Sequence, residues 1–165
     1  MRRERGPYRY RRMQRLEGMG DDAYRPARKA RGPVLCADCG AVFRKGRWSW
    51  SAAPAGAARR RCPACLRIAE SSPAGYVAIA GGFYAAHRDE MLARARHCEA
   101  QEKSRHPLER IMAVRQRGAA ALLTTTSVHL ARRIGHALKG AFKGELTTNY
   151  NRDDNLLRVR WSRAA

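Results

Sequence analysis

Two cysteine pairs, Cys36-Ala-Asp-Cys39 and Cys62-Pro-Ala-Cys65, decide the fold of this chain, and twenty-two residues lie between them. Each Cys-x-x-Cys pair presents two thiolates from one tight turn, and two such turns together supply the four ligands of a tetrahedral zinc site. Gly40 and Pro63 are residues that such turns favour. The pattern predicts a zinc ribbon with one structural Zn²⁺. The predicted ligands are Cys36, Cys39, Cys62 and Cys65.

The loop between the pairs is slightly longer than the roughly 15–20 residues typical of such sites. Residues 54–56 (Pro-Ala-Gly) predict a turn that absorbs the excess as a longer hairpin loop. A disulfide framework and a redox Cys-x-x-Cys are the competing interpretations. A redox motif normally opens a helix within a βαβ pattern, and disulfides belong mainly to secreted chains. Neither context is evident here, so zinc is favoured.

Charge is the dominant feature of the composition: 34 basic residues face 14 acidic ones, for a net charge of +20 over 165 residues. Nearly all the basic residues are arginine, whose planar guanidinium grips phosphate and stacks on bases. A high-GC genome explains arginine over lysine, and the many alanines, but not the surplus of cations over anions. We therefore expect a polyanionic partner.

Targeting and membrane signals are not evident in the sequence. No run approaches 18 apolar residues, which is the length that a membrane-spanning helix needs. The N-terminal arginines are not followed by the apolar segment of a secretory signal. The sequence therefore predicts a cytoplasmic protein without a membrane partner.

Composition divides the chain into a disordered, arginine-rich arm (1–33), the four-cysteine zinc ribbon (34–66), a connector (67–82) and an α/β domain (83–163). The arm has a net charge of +7 and is interrupted by glycine and proline, so it has little apolar surface to offset the entropy of ordering. Tyr8 and Tyr10 among its arginines suit stacking on unpaired bases. A solvated tail without a partner is the alternative.

The ribbon has a net charge of +5, with Asp38 as its single acid. Residues 41–43 and 46–50 predict short strands. Trp48 and Trp50 are two apart, so in a strand they share a face and either form a base-stacking platform or pack the small ribbon core. Three adjacent arginines (59–61) are expected to face phosphate, as positioning contacts without sequence readout.

The remainder predicts an α-β-β-α-β-β order and an α+β fold, in which a two-layer α/β sandwich with a four-stranded sheet follows the ribbon. The predicted helices are 83–105 and 128–142, the second capped by Ser127. The predicted strands are 109–115, 120–126, 145–150 and 156–162; a further short strand at 76–79 falls in the connector. Cys98 is expected to be a buried free thiol, and His87 a packed side chain instead of a base.

Nucleic-acid contacts are expected from the arm, the ribbon, the second helix and the last strand. By analogy with other small sandwiches, the open face of the sheet is a candidate RNA surface, with Thr147 and Asn149 beside the last strand. The candidate binding residues are Arg9, Arg11, Arg12, Arg44, Arg47, Trp48, Trp50, Arg59, Arg60, Arg61, Arg132, Arg133, Lys139, Lys143, Arg158 and Arg160.

The order of these parts resembles a known family. A Cys-x-x-Cys ribbon and a connector precede an α/β unit that contains LTTTSVHLARRIG (123–135) and ends in LRVRW (157–161). This is similar to the N-terminal half of the nonsense-mediated decay protein three family, adaptors of the large ribosomal subunit, and to short bacterial proteins with the same core. Those adaptors carry more cysteines, later domains and export signals that this chain lacks. The resemblance implies ribosomal RNA binding, with the four cysteines as metal ligands.

These observations favour a non-enzymatic, zinc-containing RNA-binding protein of the ribosome or an assembling subunit, acting in biogenesis, quality control or dormancy. The alternative is a zinc-ribbon DNA-binding regulator, although no recognition helix is evident. An enzyme is disfavoured because four cysteines leave zinc no open position, and no Ser-His-Asp, Walker or His-Glu-x-x-His pattern occurs. We expect neither catalytic residues nor a small-molecule substrate.

Overall fold

The computed structural model describes Tyr24 and residues 31–165. Almost all of the predicted arm, including Arg9, Arg11 and Arg12, lies outside these described residues. The described chain is a mixed α+β structure with two sheets and four helices, which confirms the α+β class but not the predicted sandwich topology. None of its helices combines the length and apolar character that crossing a bilayer requires.

The first sheet forms the ribbon. Its strands are β1 (Val34–Cys36), β2 (Val42–Arg44), β3 (Arg47–Ser49) and β4 (Ala58–Arg60), in the order β3-β2-β1-β4. β4 lies parallel to β1 and does not pair with β3, so the long loop is a crossover and the predicted hairpin is wrong. Helix α1 (Pro63–Ala69) begins at the second cysteine pair, with Pro63 in its first turn, where proline's missing N–H costs no hydrogen bond.

The second sheet has five strands in the order β6-β7-β5-β9-β8. Its elements are β5 (Gly75–Ala80), α2 (Gly82–Ala86), α3 (Arg88–Arg105), β6 (Ile111–Arg117), β7 (Ala120–Thr125), α4 (Val128–Phe142), β8 (Glu145–Asn151) and β9 (Leu156–Ser162). The predicted four-stranded sheet is wrong because β5, which the sequence analysis assigns to a connector, is its central strand. β5 lies antiparallel to β7 and parallel to β9.

A single helix predicted over residues 83–105 is divided into α2 and α3. His87, between them, has φ −120° and ψ 28°, which is outside helical geometry. Its ring stacks on Phe83 with centroids 4.2 Å apart, and its Nδ1 lies 3.3 Å from the Glu90 carboxylate. The expectation of a packed histidine agrees with the stacked ring, although the residue is exposed.

α4 begins and ends at the predicted residues. The Ser127 hydroxyl accepts a hydrogen bond from the Leu130 amide at 3.0 Å, which satisfies one of the free amides at the helix start. α3 and α4 contribute to one apolar core with alternate residues of the strands, such as Ile79 and Trp161, which are fully buried. Cys98 lies in this core as a buried free thiol, as predicted.

Candidate metal centre and basic surfaces

The four predicted ligands lie together, with all their Sγ atoms within 4.8 Å of one another. The Sγ atoms of Cys36 and Cys65 are 3.7 Å apart, and those of Cys39 and Cys62 are 3.8 Å apart. A tetrahedral site with zinc–sulfur bonds of about 2.3 Å has sulfur–sulfur edges of about 3.8 Å. The cluster can therefore hold one metal ion.

Local backbone structure sets the positions of these thiols. Cys36 ends β1, and the following turn closes with a 3.0 Å bond from the Gly40 amide to the Cys36 carbonyl. Gly40 has φ +79°, a left-handed conformation that glycine adopts without strain. Cys62 caps α1, since its Sγ accepts from the Cys65 amide at 3.4 Å, while its own amide donates to Cys36 Sγ at 3.2 Å.

The thiols differ in acidity in the protein chain alone. Burial raises the pKa of Cys36, but backbone hydrogen bonds to its sulfur outweigh burial and lower the pKa to about 7. Burial raises the pKa of Cys62 well above its usual value, and the nearby thiols raise it further. Burial also raises the pKa of Cys65, to about 11, although Arg110 opposes this. Metal binding therefore has to displace protons from thiols whose pKa is raised, such as those of Cys62 and Cys65.

A buried arginine contacts the cysteine cluster from the α/β unit. Arg110 is 8% exposed, and its guanidinium donates to Cys65 Sγ at 3.3 Å and to Cys62 Sγ at 3.9 Å. Its Nε also donates to the Pro107 carbonyl at 2.9 Å. Burial lowers the pKa of this guanidinium, but the cysteine sulfurs outweigh burial and raise it above its usual value. Arg110 is thus a fixed cation that offsets the negative charge of the thiolates.

Arg110 also joins the ribbon to the five-stranded sheet. Its amide donates to the Thr126 hydroxyl at 3.0 Å, and its carbonyl accepts from the Thr126 amide at 2.9 Å. Leu108 packs against the cysteine cluster from the same segment. The sequence does not indicate this role, because Arg110 lies 45 positions from Cys65 and neither periodicity nor spacing relates the two residues.

The two ribbon tryptophans have different environments. Trp48 is half-buried beside the cysteine cluster, and its ring lies 5.5 Å from that of Phe43, so it packs the ribbon core. Trp50 follows the end of β3, is 42% exposed and donates from its indole nitrogen to the Lys103 carbonyl at 2.6 Å. Trp48 thus follows the core-packing alternative, and the two rings do not form a shared base-stacking platform on one strand.

The ribbon arginines also differ in their exposure and in their ion pairing. Arg44, Arg47 and Arg59 are exposed, whereas the Arg61 Nε lies 2.7 Å from the Asp38 carboxylate. Arg60 is half-buried, on the opposite side of β4 from Arg59. The three adjacent arginines therefore do not present one phosphate-facing row.

The other candidates lie on two further surfaces. Arg132, Arg133, Lys139 and Lys143 are exposed on or directly after α4, although Arg133 is paired with Glu102 at 2.8 Å. Arg158 and Arg160 alternate with buried residues of β9, so they face away from the core. The predicted residues thus form separate surfaces on the ribbon, on α4 and on the sheet.

Comparison of the chain with protein-family models, curated proteins and solved structures finds no match. The resemblance to the nonsense-mediated decay protein three family therefore stays a prediction. The class that the fold and site define is an α+β protein with a four-cysteine cluster that can hold one metal ion.

Proposed function

We propose that this chain is a non-enzymatic, zinc-containing RNA-binding protein that associates with ribosomal RNA, on the ribosome or on an assembling subunit. The observation that carries the proposal is the ribbon closed by four converging thiols, with Arg44, Arg47 and Arg59 exposed around it. Exposed guanidiniums on a rigid module suit phosphate contacts that fix orientation. The wider cationic excess supplies salt-sensitive affinity for a polyanion.

Zinc is the metal that this ligand set favours, since four thiolates at tetrahedral distances suit Zn²⁺. A site closed by four protein ligands has no position for water or substrate, so the proposed metal is structural. The ion would hold the two cysteine turns together, while Arg110 offsets part of the charge of the site. A thiol oxidoreductase is disfavoured because the thiols converge on one centre.

RNA is preferred to duplex DNA because of the resemblance, and because one of the exposed arginines of α4 is already paired with an acid. A DNA-reading helix needs side chains free to enter a groove, and α4 is the strongest candidate. Its inner face is buried in the core, and its Arg133 is paired with Glu102. A preference for duplex DNA over structured RNA at matched salt would instead support the regulator.

The first test is to crosslink the protein to nucleic acid in cells and to sequence what it retains. We expect the reads to concentrate on a few ribosomal RNA helices, whose position would indicate the step at which the protein acts. Reads spread over the chromosome, or over no particular transcript, would contradict the proposal.

The second test couples the metal to RNA binding. Cys62→Ser should lose the metal and weaken ribosomal RNA binding, because the ribbon cannot close without its fourth ligand. Cys98→Ser is the matched control, since Cys98 is a buried thiol of the other core, outside the cluster. Unchanged RNA binding by metal-free Cys62→Ser would refute the coupling.

A further inference from the structure

The face of the five-stranded sheet that points away from the helices carries two pairs of arginines. Arg115 and Arg117 lie on β6, where the intervening Gln116 accepts from the Tyr84 hydroxyl on the helix side. Arg158 and Arg160 lie on β9, where the intervening Val159 is buried in the core. Because residues alternate between the two faces of a strand, all four arginines project from the same open face.

These arginines are available to a ligand. All four are exposed, and within the described part of the chain none of them has an acidic partner. Arg158 lies over the ring of Tyr76, with its Cζ 5.9 Å from the ring centroid, so an aromatic side chain belongs to the same surface. Glu145, opposite Ser162 at the edge, is the single acid among the strand residues of this face. The face is therefore strongly cationic.

The strand register places the two arginine pairs on either side of the open-face residues of β5 and β7, which we call the floor. The two members of a pair are two residues apart, which is roughly 6.7 Å along a strand. β7 and β5 lie between β6 and β9, so the pairs are separated by roughly 14 Å across the sheet. The floor between them consists of Ala78, Ala80, Ala120, Leu122, Thr124 and Tyr76. Most of these side chains are short, so a ligand can approach the backbone of the sheet closely between the two arginine pairs.

We infer that this open face binds single-stranded RNA, with the arginine pairs on β6 and β9 contacting phosphates and the floor at Tyr76 and Leu122 contacting bases. The inference rests on the proposed function and names the surface and the form of RNA. An open sheet with an aromatic side chain suits unpaired bases, which expose their faces for stacking. Charge complementarity favours a polyanion. The short side chains between the arginine pairs favour a single strand, whose unpaired bases can reach the sheet, over a duplex, whose bases are already stacked.

The test measures the affinity of the full-length, zinc-loaded protein for a fluorescein-labelled, mixed-sequence RNA of twelve nucleotides. Arg158→Gln/Arg160→Gln and Arg115→Gln/Arg117→Gln should each weaken binding roughly five- to tenfold, as the loss of two exposed ionic contacts implies. The slope of log K against log salt should fall in magnitude by about 1.4 for each pair. Arg94→Gln/Arg96→Gln is the matched control, since it removes two exposed arginines of α3 and should leave affinity within about twofold of wild type.

A second variant adds a negative charge to the open face of the sheet without removing an arginine. Thr147 is exposed on β8 directly opposite Arg160, so Thr147→Glu should pair with that guanidinium and weaken binding by several-fold. Circular dichroism should show unchanged melting for all of these surface variants. Weakening by Thr147→Glu together with both arginine pairs would support the inference.

The outcomes separate this inference from the proposed function. If the wild type binds no RNA, both fail. If the wild type binds RNA while the sheet variants behave like Arg94→Gln/Arg96→Gln, the sheet surface is refuted and RNA binding through the ribbon or α4 stands. Tighter binding to a duplex of the same length would overturn the assignment of a single strand.

Discussion

The ribbon and the α/β unit differ in what holds them together. The core of the α/β unit consists of large apolar side chains such as Ile79, Leu138 and Trp161, all fully buried. The buried cluster of the ribbon consists of three of the four cysteine ligands and two alanines, with Trp48 packed at its edge. The α/β unit buries many large apolar side chains, whereas the ribbon adds only smaller ones, such as Val34 and Val42, to its cysteines.

From this difference we expect the ribbon to depend on a bound metal for its stability. A module of some thirty residues rarely buries enough apolar area to offset its conformational entropy, so a metal or disulfides normally supply the remainder. Metal removal should consequently affect the ribbon, and core truncation should affect the α/β unit. Substitution of Arg110, which contacts both, should affect both regions.

Removal of the metal should have the largest effect and should be confined to the ribbon. Structural zinc sites of this kind contribute on the order of 10–16 kcal/mol to folding, more than the ribbon core can replace. After treatment with a strong chelator, hydrogen exchange should accelerate in β1–β4, while β5–β9 keep their protection. Added zinc should restore the slow exchange. Slow exchange in the chelated ribbon would contradict a metal-dependent fold.

A core truncation should have the opposite pattern. Leu138→Ala removes a fully buried side chain of α4 and should lower the free energy of unfolding of the α/β unit by about 2–5 kcal/mol. Urea unfolding followed by circular dichroism measures the change, and the zinc content should stay at the wild-type value. Leu122→Ala, on the exposed face of β7, is the control with a much smaller expected cost. Loss of zinc from Leu138→Ala would show that the regions are not separable.

Arg110→Met should affect both regions moderately. It removes the buried cation beside Cys62 and Cys65, and partners of metal ligands typically change metal affinity by about 10–100-fold. Competition with a chromogenic chelator measures this affinity. Arg110→Lys keeps the charge without the forked geometry and should give an intermediate value, while the exposed Arg115→Met should match wild type. An unchanged affinity in Arg110→Met would remove this residue from the account of the site.

The smallest expected effect comes from Gly140 in α4. Nothing lies within 4 Å of a Cβ added at Gly140, so Gly140→Ala should stabilise the α/β unit by up to about 1 kcal/mol. Gly135→Ala provides the contrast, since its Cβ would lie 2.6 Å from Val159 Cγ1 and should cost about 1–3 kcal/mol. Thermal unfolding distinguishes the two, and neither variant should alter zinc content. Destabilisation by Gly140→Ala would contradict the packing described for α4.

Local signals in the sequence predict some elements closely. α4 has an apolar stripe at helical spacing and a serine cap, and β9 alternates apolar residues with arginine, so the predicted bounds of both match the observed ones. The cysteine ligands are predictable because their spacing is itself the signature of the site.

Features that depend on long-range contacts are not predictable in this way. The sequence predicts a strand at 76–79 within the connector, but only the observed pairing with β7 and β9 makes β5 the centre of the sheet. The helix is divided at His87 by a non-helical backbone conformation, and no glycine or proline at this position indicates the break in the sequence. The bonds from Arg110 to the sulfurs, and from Trp50 to the end of α3, join residues that are distant in the chain.

The central claim is that Cys36, Cys39, Cys62 and Cys65 together hold one zinc ion. Native mass spectrometry with elemental analysis tests it most directly on purified wild type, Cys62→Ser and Cys98→Ser. We expect one zinc per chain in the wild type and in Cys98→Ser, and none in Cys62→Ser. A wild-type chain without zinc, or with its four cysteines joined as disulfides, would contradict it.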